Sequence, residues 1–295
     1  MNSLYLDKIS VVNYKNITVG EYELDRKINC FVGNNGVGKT NILDSIYHLS
    51  AGKSYFNSIS SQTINHDQDF MFIDGNFIKN DQQEHIICSL KRGKKKILKR
   101  NGKVYKKLSE HVGLIPLVMI SPSDRDLIQE GSSLRRKFID SIISQNNKLY
   151  LNNIINYHKV LNQRNALLKY FNKTNSFDKV NIGIYNQQLF ELSKPIHETR
   201  KIFFKNFSPV FLNHYNSISQ NKEEINISFQ SQLEFETLES LLENSIKKDR
   251  ILQYTSCGIH KDDLVMEING YPIKKYGSQG QQKSFLIALK LAQFD

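Results

Sequence analysis

The sequence has little cysteine. Cys30, Cys88 and Cys257 are odd in number and far apart, and no two stand at zinc-ligand or redox-motif spacing. This excludes a disulfide framework, argues against a zinc site and fits a reducing compartment. Long apolar runs are also lacking. No stretch approaches the roughly 20 residues a membrane-spanning helix needs, and Asp7 interrupts the amino-terminal MNSLYLDKIS before a signal-type apolar segment develops. The expectation is a soluble, unsecreted protein, cytoplasmic, with no membrane partner. What the chain does have is core material. Of 295 residues, 39% are hydrophobic and 23% charged, which excludes disorder as the main state and allows one large domain or two unequal lobes.

Acidic residues are absent from one place where basic ones crowd. Residues 91–107, KRGKKKILKRNGKVYKK, carry ten cations and no carboxylate, against a net charge of +11 for the whole chain. So dense a positive field attracts polyanions, nucleic acid foremost. A solvated hairpin whose lysines only keep the protein in solution is the alternative.

Short apolar alternations from Leu4 to Leu24 predict paired strands about a turn at Asn13 to Asn16. The run INCFV, residues 28–32, predicts a buried strand, then comes GNNGVGKT, and Ile42, Leu43, Ile46, Tyr47 and Leu49 recur at helical spacing until Gly52. Residues 85–90 and 96–105 read as a hairpin with Asn101-Gly102 as its tight turn, and 114–121, LIPLVMIS, as another buried strand. Thereafter the period changes. Tyr150, Ile154, Tyr157, Leu161, Arg164, Leu168 and Phe171 form one heptad seam; Tyr185, Leu189, Leu192, Ile196, Thr199 and Phe203 form a second. A short polar segment separates them, which predicts an antiparallel helical hairpin, an arm about 30 Å long. Pro195 is expected to interrupt and kink its second helix. The aromatics Tyr150, Tyr157, Tyr170 and Phe171 read as core, and Arg164 as paired within the arm. Strand signals return at 224–229 and 264–268, with a helix between them near 237–252.

Gly33-Asn34-Asn35-Gly36-Val37-Gly38-Lys39-Thr40 is a complete phosphate-binding loop, G-x-x-x-x-G-K-[ST], placed between a predicted strand and a predicted helix. Its glycines let backbone N–H groups curl around phosphates, Lys39 reaches the β- and γ-phosphates, and the Thr40 hydroxyl is suited to Mg²⁺. The loop therefore predicts a bound nucleotide and Mg²⁺, and the resemblances described next imply that the nucleotide is ATP. Near the other end, Tyr276-Gly277-Ser278-Gln279-Gly280-Gln281 precedes an apolar helix. A serine-capped helix start explains that composition by itself. Beside a phosphate loop it also resembles the L-S-G-G-Q signature of ABC-type ATPases, matching at Ser278, Gly280 and Gln281 and departing at Gly277 and Gln279. In those ATPases the segment acts in trans on the γ-phosphate of a second subunit, which implies an ATP-dependent homodimer.

With both ends in view, the chain resembles the RecF family of bacterial DNA replication and repair proteins, relatives of the SMC heads. The resemblance runs nearly the full length: the Tyr14-Lys15-Asn16 turn, the phosphate loop, GKSYF at 52–56, SPSDRDLIQEG at 121–131 followed by Arg135-Arg136, QRNALL at 163–168 and DRILQYTSCGIHKDDL at 249–264. Ile259 stands where the family usually has proline, and Lys261 where it often has arginine. Gly258, His260, Asp262 and Asp263 gain no chemical role from the sequence, and a turn with solvated charges stays open for them.

The resemblance implies an α/β fold: a P-loop ABC-type ATPase head with an inserted α-helical, short coiled-coil hairpin lobe. The expected segments are 1–125 for the head's first part, 126–222 for the helical lobe, and 223–295 for the return to the head with the signature. It also implies a weak ATPase that binds gapped or single-stranded DNA in recombinational repair and the damage response, alongside recombination mediator proteins of the same pathway. An apolar strand ending in acidic residues is expected downstream of such a signature; the sequence stops at Asp295, eleven residues past Ser284, so the head reads as truncated and its hydrolysis as impaired. Lys91, Arg92, Lys94, Lys95, Lys96, Lys99 and Arg100 are the DNA-contact candidates, as sequence-independent phosphate binders, with Arg135, Arg136 and Lys137 as the fallback surface. Another SMC-like ATPase, or a DNA-binding module that senses nucleotide without hydrolysing it, remains the alternative.

Overall fold

Alternating inward and outward side chains build β1 (Leu4–Tyr14) and β2 (Ile17–Glu23), joined by the two-residue turn Lys15-Asn16. The computed structural model describes residues 4–220 and 222–295; Met1–Ser3 and Asn221, which the expected segments include, lie outside them. The chain divides into two compact units, Met1–Leu117 and Val118–Asp295.

In the first unit, helix α1 (Lys39–Ala51) follows the glycine-rich loop and ends at Gly52 in a left-handed C-cap. Strands β3 (Phe70–Lys79), β4 (Gln82–Lys91), β5 (Ile97–Arg100) and β6 (Lys103–Val104) complete an antiparallel sheet of order β2-β1-β3-β4-β5-β6. The inward residues Met71, Ile73 and Phe77 of β3 and Ile86, Cys88 and Leu90 of β4 share a core with Ile42 and Leu49 of α1. Asn101 and Gly102 both take positive φ, 47° and 79°, as a type I′ hairpin turn requires.

Two strand expectations are corrected here. Residues 28–32 and 114–121 form no strand; Ile28 is 78% exposed, Val32 88% and Ile120 54%. Apolar composition makes a segment ready to pair, but a ladder needs a neighbouring strand, and none among the described residues pairs with either.

The second unit begins with short α2 (Asp126–Gln129) and α3 (Ser132–Asn146), then the long pair α4 (Lys148–Thr174) and α5 (Lys179–Ser219). Asn147 and Asp178 cap the long helices, and Asn175 turns the chain between them in a left-handed conformation. Every residue of the α4 seam is buried, so Tyr150, Tyr157 and Phe171 are core as expected, whereas Tyr170 is 58% exposed. The α5 seam is corrected. Its buried line runs through Leu189, Ser193, Ile196, Arg200, Phe204, Phe207, Phe211 and Tyr215, leaving Tyr185, Leu192, Thr199 and Phe203 on the half-buried flank. Two inward polar residues, Ser193 and Arg200, hide this line from a hydrophobic reading. Pro195 lies inside the continuous helix, and so does Pro209.

Strands β7 (Ile225–Gln230), β8 (Asp263–Ile268) and β9 (Tyr271–Pro272) form a second antiparallel sheet; α6 (Leu238–Leu252) precedes β8, and α7 (Ile273–Tyr276) and α8 (Gln279–Phe294) follow β9. The long helices are no free arm along most of their length. Phe211 packs against Phe285 of α8 at 4.6 Å between ring centroids, and Phe204 stacks on Phe229 of β7 at 5.2 Å. The expected segments 126–222 and 223–295 thus share one core. Toward the tip, Leu168, Phe171 and Ile182 form a small separate cluster, against which Ile246 of α6 packs.

Candidate nucleotide site, signature segment and basic hairpin

The glycine-rich loop closes on the amino end of α1. Gly38 is its N-cap at φ 103°, a conformation that favours glycine, and a Cβ there would also meet Asn16 Oδ1 at 2.9 Å and Ile17 Cγ1 at 3.2 Å. Gly33 and Gly36 likewise take positive φ. Lys39 opens the helix and folds back, donating from Nζ to the Gly33 and Asn34 carbonyls at 2.7 Å each. Asn34, Asn35, Gly36, Val37 and Thr40 are exposed, and open space surrounds the absent Cβ of Gly36. Free N–H groups of the first helical turn, the helix dipole and the Lys39 ammonium converge there, which suits a phosphate chain. The Thr40 hydroxyl, exposed on that turn, is the group suited to a bound Mg²⁺.

Behind α1 lies a buried polar knot whose roles the sequence did not reveal. Asp44 has no exposed side-chain surface and accepts from Lys15 Nζ (2.6 Å), Tyr14 Oη (2.7 Å), Ser54 Oγ (2.7 Å) and the Tyr55 N–H (2.7 Å). Burial pushes its carboxyl pKa up, but these donors outweigh burial and hold it below its ordinary value. His48 lies 3.3 Å from Tyr14 Oη; burial first, then the Lys96 charge, lower its pKa to about 3. The signal was the pair of motifs Tyr14-Lys15-Asn16 and GKSYF, which this knot brings together.

In the second unit, Ser278 is the N-cap of α8. Its Oγ accepts from the Gln281 N–H at 3.2 Å, while Gln281 Oε1 accepts from the Ser278 N–H at 2.6 Å and Gln281 Nε2 donates to Glu223 at 2.8 Å. The departure at Gly277 has a steric cause: a Cβ would stand 2.7 Å from the Ile273 carbonyl oxygen. Gly280 is different, since a Cβ there would meet nothing closer than Ser278 Oγ at 3.9 Å. Packing within this chain does not demand glycine at 280, although glycine costs a helix up to about 1 kcal/mol relative to alanine.

The basic stretch occupies the end of β4, the turn after it, β5 and β6. Three of its seven candidates serve the fold. Arg92 donates to the carbonyls of Gln68, Asn65 and His66, Lys96 to the Gly52 carbonyl, and Arg100 forms a bidentate pair with Glu84. Lys91, Lys94 and Lys95 are exposed, Lys99 is half-buried, and among the described residues none of these four ammonium groups has an acceptor. The fallback surface is also partly occupied: Arg135 pairs with Asp263 through two hydrogen bonds of 2.6 and 2.9 Å, and Arg136 donates to the Asp262 carbonyl at 2.7 Å.

The open reading of Gly258, His260, Asp262 and Asp263 as a solvated turn does not hold. Arg200 joins Asp262 (2.7 Å), Asp140 (2.8 Å), the Ile259 carbonyl (2.9 Å) and Tyr150 Oη (3.0 Å) in the interior. His260 bridges Tyr157 Oη and the Thr255 carbonyl, each at 3.0 Å, and burial lowers its pKa to about 4. Burial pushes Asp262 up to about 6 despite Arg200. Arg164 pairs within the arm as expected, with Asn186, and also reaches Asp249 and Thr255, each at 2.8 Å. These residues tie α3, α4, α5 and α6 to the start of β8.

A mixed helix and sheet fold carrying this loop defines a P-loop ATPase head. Residues 4–291 match the family described as AAA ATPase domain. The DNA replication and repair protein RecF of Flavobacterium johnsoniae is 56% identical over 292 residues, 99% of this chain and 81% of that protein. The RecF of Parabacteroides distasonis is 49% identical over 291 residues, 99% and 79% of the two chains. Among solved structures, the recombination mediator protein RecF with ATP, of the RecFOR pathway, superposes with a TM-score of 0.93 at 29% identity, covering 99% of this chain and 80% of that one. An SMC head bound to the C-winged helix domain of ScpA shares the fold, with a TM-score of 0.56 at 14% identity over 99% and 77%. The chain belongs to the RecF family of DNA replication and repair proteins.

Proposed function

We propose that this chain binds ATP with Mg²⁺ at residues Gly33 to Thr40, dimerises on it through Ser278, Gly280 and Gln281 acting on the nucleotide of a second copy, and holds DNA phosphates through Lys91, Lys94, Lys95 and Lys99. The work it does is DNA replication and recombinational repair, with partner proteins of the same recombination pathway. The observation that carries the reading is the loop itself: exposed, glycine-turned, capped by a helix amino end, with Lys39 held over it. Lys39 has to leave two carbonyls to meet a phosphate, exchanging neutral acceptors for charged ones, which favours the move. Support for the signature comes from Gly280, a glycine with room for a side chain, and for DNA from four cations that have no acceptor among the described residues.

Titration with a fluorescent ATP analogue and Mg²⁺ tests the core of it. Lys39→Ala is expected to weaken binding at least tenfold, about 1.4 kcal/mol. Equal affinity of variant and parent removes the nucleotide assignment.

A further inference from the structure

We propose that Asn16, in the β1–β2 turn, is a positioning residue of the phosphate loop: it sets the direction of the Gly36–Val37 peptide and thereby aims the loop's N–H groups. Asn16 Nδ2 donates to the Gly36 carbonyl at 2.6 Å, and Asn41 Nδ2, from the first turns of α1, donates to Asn16 Oδ1 at 2.7 Å. The second bond fixes which end of the Asn16 amide faces the loop. In a planar trans peptide the C=O and the following N–H point in opposite directions. Holding the Gly36 carbonyl toward Asn16 therefore turns the Val37 N–H to the other side of that peptide. Glycine at 36, at φ 84° with open space around it, cannot hold that orientation alone. A peptide flipped there would present a carbonyl where a phosphate chain needs a donor.

Asn16 is itself placed from α1. Its neighbours Tyr14 and Lys15 are clamped to buried Asp44, and the Lys15 N–H donates to the Thr63 carbonyl at 2.9 Å. Lys15 takes φ 53°, a left-handed conformation that is unfavourable for an ordinary side chain. A glycine would relieve that cost; the lysine keeps the clamp. Gly38 completes the fit, because any Cβ on it would collide with Asn16 Oδ1. The turn, the loop and the helix start thus form one small assembly, with Asn16 its contact to the Gly36 carbonyl.

The inference rests on the reading of residues 33–40 as the nucleotide site, and the experiment separates the two. ATP affinity, ligand-free thermal midpoint and hydrogen exchange of the Val37 and Gly38 amides are measured for the parent, Asn16→Ala, Asn16→Asp, Asn41→Ala, Lys15→Ala and Lys39→Ala. Asn16→Ala is expected to bind ATP about fivefold more weakly and to exchange faster at Val37 and Gly38, with its midpoint near the parent's. Asn16→Asp, which keeps the acceptor for Asn41 but sets a carboxylate against the Gly36 carbonyl, is expected to lose more than twentyfold, and Asn41→Ala about twofold. If Lys39→Ala is impaired while Asn16→Ala and Asn16→Asp bind like the parent, the positioning role falls alone. If Lys39→Ala binds like the parent, the nucleotide reading falls and takes this one with it. If Asn16→Ala and Lys15→Ala lower affinity and midpoint in parallel, Asn16 only folds the turn and the proposal is overturned.

Discussion

Buried charge in this protein is met by partners from far apart in the chain. Asp44 is met by Lys15 and Tyr14 from about thirty positions upstream, Arg164 by Asp249, and Arg200 by Asp140 and Asp262. A buried pair returns little net stability over an apolar replacement, but it specifies which elements meet, since a misregistered element leaves a bare charge in the core. Histidine gives this interior a pH dependence. The unfolded chain protonates His48 near pH 6.5, whereas the folded protein resists until about pH 3. Unfolding takes up a proton throughout that window, so His48 contributes its full stability above pH 6.5 and loses it as the pH falls. His260 acts in the same direction down to about pH 4, while Asp262, raised to about 6, acts oppositely between its ordinary value and 6. The expected outcome is that His48→Asn flattens the fall in chemical-denaturation stability of the first unit between pH 6.5 and pH 4; a slope equal to the parent's would show that His48 does not carry that dependence.

At the scale of elements, the basic hairpin and the two long helices show how far pattern carries. Asn101-Gly102 and the alternation around it place β4, β5 and β6 correctly because hairpin pairing is local and turn chemistry is specific. What the charges there do is not local. Lys96 is consumed by a carbonyl on the C-cap of α1, forty-four positions away. Replacing Lys91, Lys94, Lys95 and Lys99 together by Gln is therefore expected to leave the thermal midpoint unchanged. In duplex titrations at several salt concentrations it should reduce the magnitude of the slope of log K against log[salt] by about 0.9 for every phosphate that is no longer neutralised. Lys96→Gln alone is expected to lower the midpoint instead, since burial and its bond to Gly52 tie it to the fold. An unchanged salt slope in the fourfold variant would move the DNA surface elsewhere. In the helices, the α4 seam is legible to the last residue because its inward positions are nearly all apolar. Along α5, Ser193 and Arg200 break the apolar record, and the apolar spacing points about one position off the buried line along much of its length.

For the whole molecule, Ser278→Arg tests assembly. The substitution sets a long cation where a small hydroxyl caps α8, and it is expected to leave ATP affinity intact while abolishing the ATP-dependent shift to a dimer in size-exclusion chromatography. Loss of affinity in the monomer, or dimerisation as in the parent, would count against a role in trans. Amino-acid order was enough for the phosphate loop, the hairpin turn, the α4 seam, the strands returning at 225 and 263, and the family, because each is written in contiguous residues or in repeat spacings that local stereochemistry reads directly. Folding in three dimensions was needed to establish that residues 28–32 and 114–121 remain unpaired, that three of seven candidate cations are structural, that the GIHKDD segment is an interior brace, and that Asn16 meets the phosphate loop. Each of those depends on which distant group completes a ladder, a hydrogen bond or an ion pair, and one-dimensional order carries no record of that until the chain has folded.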